Sequence, residues 1–331
     1  GDQVAFLKLD ETPLFPFTVM DHMPVRGKSE MTNYPKAGDP NPIVMVGVVD
    51  SADPGVPTWI DLSNYGEDQI LISGVSWSSD GKQLLIQVQN REQTWLDLIV
   101  VNSDGSGPKR LFRDETPAWI ESPGDPVLLG NGDFLWRSPR SGYSHIYRYA
   151  ADGQLKSAVT KGEWEVRSLL GISQNKRYCY FTAARGPATE IHAYRKNLET
   201  GELVDLTPEK GSHAVKFSHD MSFFIDGWSD VETPSRFLLR NGEGRVLREL
   251  NGVSDDRLKY LGGTTPQFLE VPSENEQPMD AMLIKPPNFD PTKKYPVLVH
   301  VYAGPQAPRV RNRFGGAQYL WHQMLAQQGY V

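Results

Sequence analysis

Residues 295–305 read YPVLVHVYAGP, an apolar run that only His300 interrupts and that stops at Tyr302. Its valines and leucine do not alternate with polar residues, which favours a strand covered on both faces, as in a parallel α/β sheet. The pattern therefore predicts a buried strand that delivers the phenol of Tyr302 to a site.

A helix is predicted after this strand. Apolar residues within 319–330 follow helical spacing, and Gly329 is expected to end the helix. Strand, polar loop and helix form a βα unit, and a doubly wound sheet needs several such units to bury its strands. The sequence thus predicts that the chain is cut inside a domain.

Composition narrows the class of protein. The chain has 331 residues, a formal net charge of −7 and one cysteine, Cys179. This balance is typical of a soluble globular protein with one large domain or two ordinary ones. The chain contains no Lys/Arg-rich block that would indicate nucleic-acid binding. With a single cysteine, it can form neither an internal disulfide nor a Cys-rich zinc site. No apolar run reaches the ~20 residues of a membrane helix, and no Gly-rich nucleotide fingerprint is present. We expect no cofactor, no metal and no nucleic-acid partner.

Up to about residue 253 the chain consists of short β-like runs separated by turn clusters. Residues 75–112 contain four such runs, and looser copies of the plan follow at 134–159, 178–206 and 217–250. Four strands in roughly 40–50 residues are typical of a β-propeller blade, and a β-sandwich is the alternative. The repeat predicts that the segments WSSDGK, ISQNKR and FSHDMS are matching turns between the first two strands of their blades.

The pattern changes after residue 253, where prolines punctuate short runs such as QFLEV and DAMLIK. This indicates a domain boundary followed by an edge hairpin. We therefore predict an incomplete β-propeller over residues 1–253 and the first strands and helix of a second, α/β domain over residues 254–331.

Five segments together resemble one known family. They are NYPKAGDPNP (33–42), WLDLIVVN (95–102), TKGEWEV (160–166), TEIHAYRKNL (189–198) and KYPVLVHVYAGP (294–305). In this order and spacing they resemble the dipeptidyl peptidase IV group of prolyl oligopeptidase-type serine peptidases, and the bacterial members are most similar. The resemblance implies a mainly β fold, with an eight-bladed propeller that caps an α/β-hydrolase domain. The chain would cover the middle of such a protein.

The serine nucleophile of such enzymes lies at a strained strand-to-helix elbow, G-x-S-x-G, with a histidine base and a carboxylate. The segment GWSDV at 227–231 imitates the elbow around Ser229, but it lacks the closing glycine and no helical pattern follows it. The segment GYSHI at 142–146 fails in the same way. We expect both to belong to blades, and we expect this chain to contain no nucleophile, acid or base.

Members of this family bind the free amino terminus of the substrate with a pair of glutamates on a propeller insertion. By resemblance, that region would precede Gly1, and no residue of the chain is expected to play this role. Asp10 and Glu11 match the strand end after the insertion, so we interpret them as carboxylates at a turn or blade edge.

Tyr302 is the one functional residue that the resemblance carries to this chain. It implies an oxyanion-hole tyrosine that donates a hydrogen bond to the tetrahedral intermediate. A phenol with an ordinary pKa near 10 keeps its proton at neutral pH and can donate it. The alternative is an aromatic side chain that caps a strand at the rim of the sheet.

Two further groups of residues could suggest a ligand site. His213 and His219 have metal-like spacing, but no nearby carboxylate or cysteine in the sequence completes a ligand set. The tryptophans are interpreted as blade-core packing rather than a carbohydrate platform. They include Trp77, Trp95, Trp119, Trp136 and Trp164.

Two functions of different classes follow. One is a fragment of a serine exopeptidase that releases Xaa-Pro or Xaa-Ala dipeptides from peptides with a free amino terminus, inactive as the 331-residue chain alone. The other is a non-catalytic propeller that binds proteins, and a related oligopeptidase or acylaminoacyl peptidase is a further alternative. The resemblance also implies a homodimer of the full protein and a periplasmic or secreted location.

Overall fold

A computed structural model describes residues 2–53, 55–66, 69–78, 80–250, 263–276, 278–302 and 308–331. The chain divides into two compact units. The first contains Gly1–Gly142 and Tyr147–Ala158, and the second contains Tyr143–Ile146 and Val159–Val331. Their internal structures are described separately below.

The first strands form a small antiparallel sheet and a separate hairpin. They are β1 (Gln3–Asp10), β2 (Pro16–Asp21), β3 (Lys28–Asn33), β4 (Ile43–Asp50) and β5 (Thr58–Trp59). Strands β1, β4 and β5 form one sheet in the order β1-β4-β5, whereas β2 pairs only with β3. Every residue of β2 and β3 is exposed. A single turn of 3₁₀ helix, Ser63–Tyr65, follows β5.

Four consecutive four-stranded antiparallel sheets follow, each with its strands in chain order. The strands are β6 (Ile70–Trp77), β7 (Gln83–Asn90), β8 (Trp95–Asn102), β9 (Lys109–Glu115), β10 (Val127–Leu128), β11 (Phe134–Ser138), β12 (His145–Tyr149), β13 (Leu155–Ala158), β14 (Glu165–Ile172), β15 (Tyr178–Ala184), β16 (His192–Asn197), β17 (Leu203–Asp205), β18 (Ser212–Phe217), β19 (Phe223–Ser229), β20 (Arg236–Asn241) and β21 (Val246–Glu249). The predicted four-stranded repeat is confirmed.

Three matching turns join the first two strands of their sheets. In the turn before β19, the Ser218 hydroxyl donates to Asp220 over 2.6 Å and accepts the Phe223 N–H over 3.1 Å. The turns before β7 and β15 make the same two bonds from Ser78 and Ser173. These side chains replace backbone bonds that a tight turn cannot make, so the turns at WSSDGK, ISQNKR and FSHDMS are equivalent, as predicted.

The sheet β6–β9 buries both of its faces within the first unit. One face, including Leu84 and Ile86, packs in a cluster with Val46 and Val48 of β4. The other face, including Leu98, packs in a second cluster with residues of β11 and β12 such as Phe134 and Tyr149. A two-layer sandwich covers only one face of each sheet, so the sandwich alternative is wrong for this unit. Sheets stacked on both sides are typical of propeller blades.

The second unit contains one more pair of stacked four-stranded sheets, followed by a hairpin and a helix. Tyr180 of β15, Leu206 and Phe224 of β19 form a cluster between its two four-stranded sheets. Beyond residue 262 come the hairpin β22 (Gln267–Pro272) and β23 (Pro278–Leu283) and the helix α1 (Gly316–Gln327). The predicted edge hairpin is present. The predicted domain boundary at residue 253 lies outside the described residues.

Helix α1 begins three residues before the predicted start and stops at the predicted glycine. Gly329 has a φ of 89°. Its N–H donates to the Ala326 carbonyl over 3.0 Å, and the Tyr330 N–H donates to the Leu325 carbonyl over 3.1 Å. This pair of bonds is a Schellman motif, which needs the left-handed conformation that glycine adopts without strain.

The predicted buried strand at residues 296–302 is not formed, which corrects the sequence-based expectation. These residues belong to no assigned sheet, and Val299 is 73% exposed. The Val331 N–H donates to the Pro296 carbonyl over 2.9 Å, and the Leu298 N–H donates to the Val331 carbonyl over 2.8 Å. That pattern places Val297 beside Val331 as in a parallel ladder. Among the described residues it is the only backbone pairing of this segment, so its valines lie uncovered.

Candidate functional site

Tyr302 lies at the end of the exposed apolar segment, and its side chain is accessible. The residue is 55% exposed, and the guanidinium carbon of Arg309 lies 4.9 Å from the centre of its ring. A cation over an aromatic face is attracted by the electrons of the ring and limits the positions that the ring takes up. The phenol is therefore free to contact a ligand while Arg309 covers one face of its ring.

A groove of about 680 Å³ lies beside Tyr302 within the second unit. Its wall is formed by residues of β23, by the segment 297–302 and by α1, including Met282, Val299, Leu325 and Ala326. Most of this wall is apolar because the valines of the segment have no covering layer among the described residues.

Two histidines, His300 and His322, line the groove. The rings of His300 and His322 are 5.5 Å apart, and the Gln318 amide donates to Nε2 of His300 over 3.1 Å. Burial, followed by the charge of His300, lowers the pKa of His322. A neutral imidazole is therefore favoured at His322 because its charged form would be poorly solvated and would face a second ring.

Ser229 is not placed as a nucleophile would be. It is the last residue of β19, in register with Ser212, and it is 7% exposed. Its hydroxyl accepts a hydrogen bond from the Phe314 N–H over 3.3 Å. The following residues lead to β20 rather than to a helix, so the strand-to-helix elbow is absent here. In the segment 142–146, the Ser144 carbonyl likewise accepts the Val166 N–H at the edge of a sheet.

Comparison with known proteins shows which family has this arrangement of four-stranded sheets. A model of the dipeptidyl peptidase IV (DPP IV) N-terminal region matches residues 1–235. The chain belongs to this family. It is 28% identical, over 95% of its length, to a protein of Emericella nidulans named probable dipeptidyl peptidase 4, and 26% identical, over 96%, to dipeptidyl peptidase 4 of Trichophyton rubrum. The chain spans 43% of the length of both relatives.

Two solved structures share the fold. Dipeptidyl peptidase 4 of Porphyromonas gingivalis superposes with a TM-score of 0.90 at 23% identity, over 99% of this chain and 46% of that one. A structure assigned to dipeptidyl aminopeptidase IV of Bacteroides ovatus superposes with a TM-score of 0.86 at 24% identity, over 100% of this chain and 50% of that one. This likeness supports the mainly β fold of the DPP IV family member described here.

The acidic pair near the start of this DPP IV family chain lies at a turn. Asp10 ends β1 and accepts the Thr12 N–H over 3.0 Å, and this backbone hydrogen bond lowers the pKa of Asp10. Glu11 accepts from the Asn33 amide over 3.2 Å. Each carboxylate thus has a local structural partner, as expected for the end of a strand.

His213 is held by a carboxylate and a carbonyl. Its Nδ1 lies 2.9 Å from Asp226, and its Nε2 lies 2.9 Å from the Glu209 carbonyl. His219 lies in the turn between β18 and β19. Within the part of the chain that the structure describes, no three His, Cys, Asp or Glu side chains are grouped as metal ligands.

The tryptophans differ in burial. Trp136 is 1% exposed and donates to Asp114 over 2.8 Å, and the Trp164 ring meets His145 edge-on at 4.9 Å. Trp77 and Trp95 pack against the first core cluster, whereas Trp119 is 41% exposed. Four of the five named tryptophans therefore serve packing or core contacts, and Trp119 is the exception.

Sequence reasoning missed a buried polar cluster in the second unit. It contains Glu190, His192, Asp226, Arg240 and Asn312, each at most 7% exposed. One signal was available: HIY at 145–147 and HAY at 192–194 are each followed by a threonine 15 residues after the histidine. Both threonine hydroxyls accept the N–H of the residue after the histidine over 2.9 Å.

None of the helices among the described residues is long and apolar enough to span a membrane.

Proposed function

We propose that these residues form part of a serine peptidase that releases Xaa-Pro or Xaa-Ala dipeptides from peptides with a free amino terminus. The observation that carries the proposal is the accessible phenol of Tyr302 in a chain of the DPP IV family. Tyr302 follows the apolar segment that borders the groove, where a peptide could reach its hydroxyl.

The proposed role of Tyr302 is to stabilise negative charge. When a serine oxygen attacks the scissile carbonyl, the carbonyl oxygen gains charge, and a phenol that keeps its proton can donate a hydrogen bond to it. The nucleophile, acid and base are proposed to lie outside these 331 residues, so the chain alone is expected not to hydrolyse Gly-Pro amides.

A structural argument also supports the proposed homodimer. The hairpin β2–β3 and its turn expose large apolar side chains, with Met23 93% and Val25 106% exposed. Apolar side chains at the tip of a hairpin favour burial against another protein surface. A second copy of the full protein is the occupant that we propose, by resemblance to family members.

The test uses a longer form of the protein that contains the proposed catalytic serine. Tyr302→Phe keeps the ring and removes only the hydroxyl, and we expect kcat to fall about 10²–10³-fold, or about 3–4 kcal/mol. KM is expected to change little, because the oxyanion forms only in the transition state. Tyr34→Phe is the matched control, since Tyr34 is 58% exposed and lies in another unit.

Melting temperatures of both variants separate catalysis from folding. A wild-type kcat for Tyr302→Phe at unchanged stability would show that the phenol is only a rim aromatic. Absence of any Gly-Pro amidase activity in the unaltered longer protein would instead favour the non-catalytic propeller.

A further inference from the structure

Asn312 attaches the segment 308–315 to the sheets of the second unit. It is 3% exposed, and three of its polar groups have partners. Its side-chain amide donates to Glu190 Oε1 over 2.6 Å, its side-chain oxygen accepts the Val231 N–H over 3.2 Å, and its backbone N–H donates to the Thr189 carbonyl over 2.8 Å. A buried amide that is hydrogen-bonded through both its nitrogen and its oxygen fixes the position of the backbone that carries it.

Glu190 is itself held by a histidine. Its other oxygen, Oε2, lies 3.3 Å from Nε2 of His192, and Nδ1 of that ring lies 2.5 Å from the Thr207 carbonyl. A carbonyl oxygen only accepts, so Nδ1 must carry a hydrogen. The ring thus links the Thr207 carbonyl to the Glu190 carboxylate and limits where that carboxylate can lie.

Further charged groups surround the Glu190–His192 pair. The ring of His213 lies 5.1 Å from that of His192 and faces Asp226. Arg240 donates to Asp226 over 2.9 Å and to the Glu209 carboxylate over 2.8 Å, and Asp205 lies 3.9 Å from His192. Buried ionic groups persist only when paired and hydrogen-bonded. Glu190 is thus held by buried groups that are themselves paired with neighbouring side chains.

His145 provides an internal contrast. Its Nε2 donates to the Gly162 carbonyl over 2.9 Å, and its Nδ1 lies 3.0 Å from the Thr160 hydroxyl. That hydroxyl already accepts the Ile146 N–H over 2.9 Å, so its own hydrogen is available for Nδ1. At His145, one ring nitrogen therefore donates and the other can accept. Only the later histidine of the repeat faces a carboxylate, and that carboxylate is the one that holds Asn312.

The segment 308–315 also carries like charges. Burial lowers the pKa of Arg311, and the charges of Arg313 and Arg167 lower it further. Arginines that face one another repel, so this segment needs attachments that oppose its release. Asn312 supplies three, and the bond from the Phe314 N–H to Ser229 supplies a fourth.

We propose that Asn312, supported by the Glu190–His192 pair, is a positioning residue that holds Arg309 against the ring of Tyr302. Arg309 is three residues before Asn312, and its guanidinium carbon lies 4.9 Å from the centre of that ring. The attachment itself is independent of any activity, whereas its effect on Tyr302 rests on the function proposed above.

Trypsin tests the attachment in the 331-residue chain. Asn312→Asp keeps the shape but replaces the donor that faces Glu190 with a carboxylate, so we expect cleavage after Arg309, Arg311 and Arg313 to accelerate by about tenfold or more. Asn33→Asp is the matched control, because Asn33 also donates to a glutamate but is exposed. It should leave those cleavage rates unchanged.

A second substitution provides the rescue. In Asn312→Asp with Glu190→Gln, the glutamine amide donates to the new carboxylate, and the total charge of the cluster stays the same. Cleavage should return to within about threefold of the wild-type rate, as complementary partners restore one hydrogen bond. Equal cleavage of Asn312→Asp and wild type would overturn the attachment, and so would a double variant cleaved as fast as the single one at equal melting temperature.

The longer, catalytic form tests the positioning. Asn312→Asp should lower kcat for a Gly-Pro chromogenic amide about 10–100-fold with a smaller change in KM, because a displaced donor affects mainly the transition state. The double variant should recover most of that loss. Fast trypsin cleavage with a wild-type kcat would overturn the positioning role. An unaltered longer protein without turnover would refute the proposed function, while the trypsin result would still decide the attachment.

Discussion

The four-stranded sheets and the segment 290–302, which includes the exposed residues 296–302, contain similar apolar side chains but bury them differently. Leu98, in the middle of β8, is fully buried, whereas Leu298 is 43% exposed. The difference does not lie in residue type. Each sheet strand has hydrogen-bonded neighbours, while the backbone of residues 296–302 pairs only with Val331 among the described residues. An apolar run becomes core only where other elements complete it.

The largest expected difference between the two regions is in the free energy of unfolding that is lost when a charged side chain is removed. The Arg240 side chain is 2% exposed and donates to Asp226 and Glu209, whereas Lys293 is 69% exposed and lies 3.7 Å from Asp290. Arg240→Ala leaves the buried Asp226 with His213 as its remaining charged partner and should lower the free energy of unfolding by about 3–5 kcal/mol. Lys293→Ala should change it by less than about 1 kcal/mol.

Urea unfolding of both variants measures this difference. Similar losses for Arg240→Ala and Lys293→Ala would mean that water reaches the Asp226 cluster in solution. The contrast between the two regions would then not extend to their charges.

The reactivity of a thiol in each region is the next difference that we expect. Cys179 is buried in β15, and burial raises the pKa of its thiol to about 12. The thiol introduced by Val299→Cys would lie where the native side chain is 73% exposed. At pH 8 we expect that thiol to react with iodoacetamide about 10³-fold faster than Cys179, because only the thiolate is a nucleophile. Peptide mass spectrometry distinguishes the two sites, and comparable rates would show that the segment is covered or that β15 opens readily.

The sequence was sufficient for features that depend on local chemistry. The serine turns at Ser78, Ser173 and Ser218, the four-stranded repeat and the stop at Gly329 all follow from residues close together in the chain. It was insufficient where distant partners decide the outcome. The apolar run at 296–302 specifies what a strand would bury, but not whether neighbours are present. Asn312 meets Glu190 across 122 residues, which no local period can indicate.

Two leucines compare packing directly. Leu98→Ala removes a fully buried side chain from the second core cluster and should cost about 2–5 kcal/mol of unfolding free energy, including the cavity that it leaves. Leu298→Ala should cost less than about 1 kcal/mol, because the side chain is already partly hydrated. Thermal and urea unfolding of the two variants check these values. A cost above about 2 kcal/mol for Leu298→Ala would show that another surface covers the segment in solution, contrary to the exposure seen here.

The smallest effect concerns turns, in which the two regions are alike. Hydrogen bonds from the Ser218 and Ser222 side chains lower the pKa of Asp220 from 3.8 to about 2. Bonds from the side chain and backbone of Thr292 also lower the pKa of Asp290. A folded-state pKa below the unfolded value means that each turn is stabilised above pH 3.8 and loses that stabilisation as the pH falls, for Asp220 through about 2.

Carboxyl-carbon NMR titration tests these turns individually. Asp220 should titrate near 2, and Ser218→Ala should move its midpoint back towards 3.8 without affecting Asp290. Thr292→Ala should act only on Asp290. If Asp220 titrates at 3.8 in the unaltered chain, the serine turn does not form in solution, and the two regions differ in their turns as well as in their cores. If both substitutions act only locally, the contrast between the regions lies in the layers that cover them, because each turn forms from its own few residues in either place.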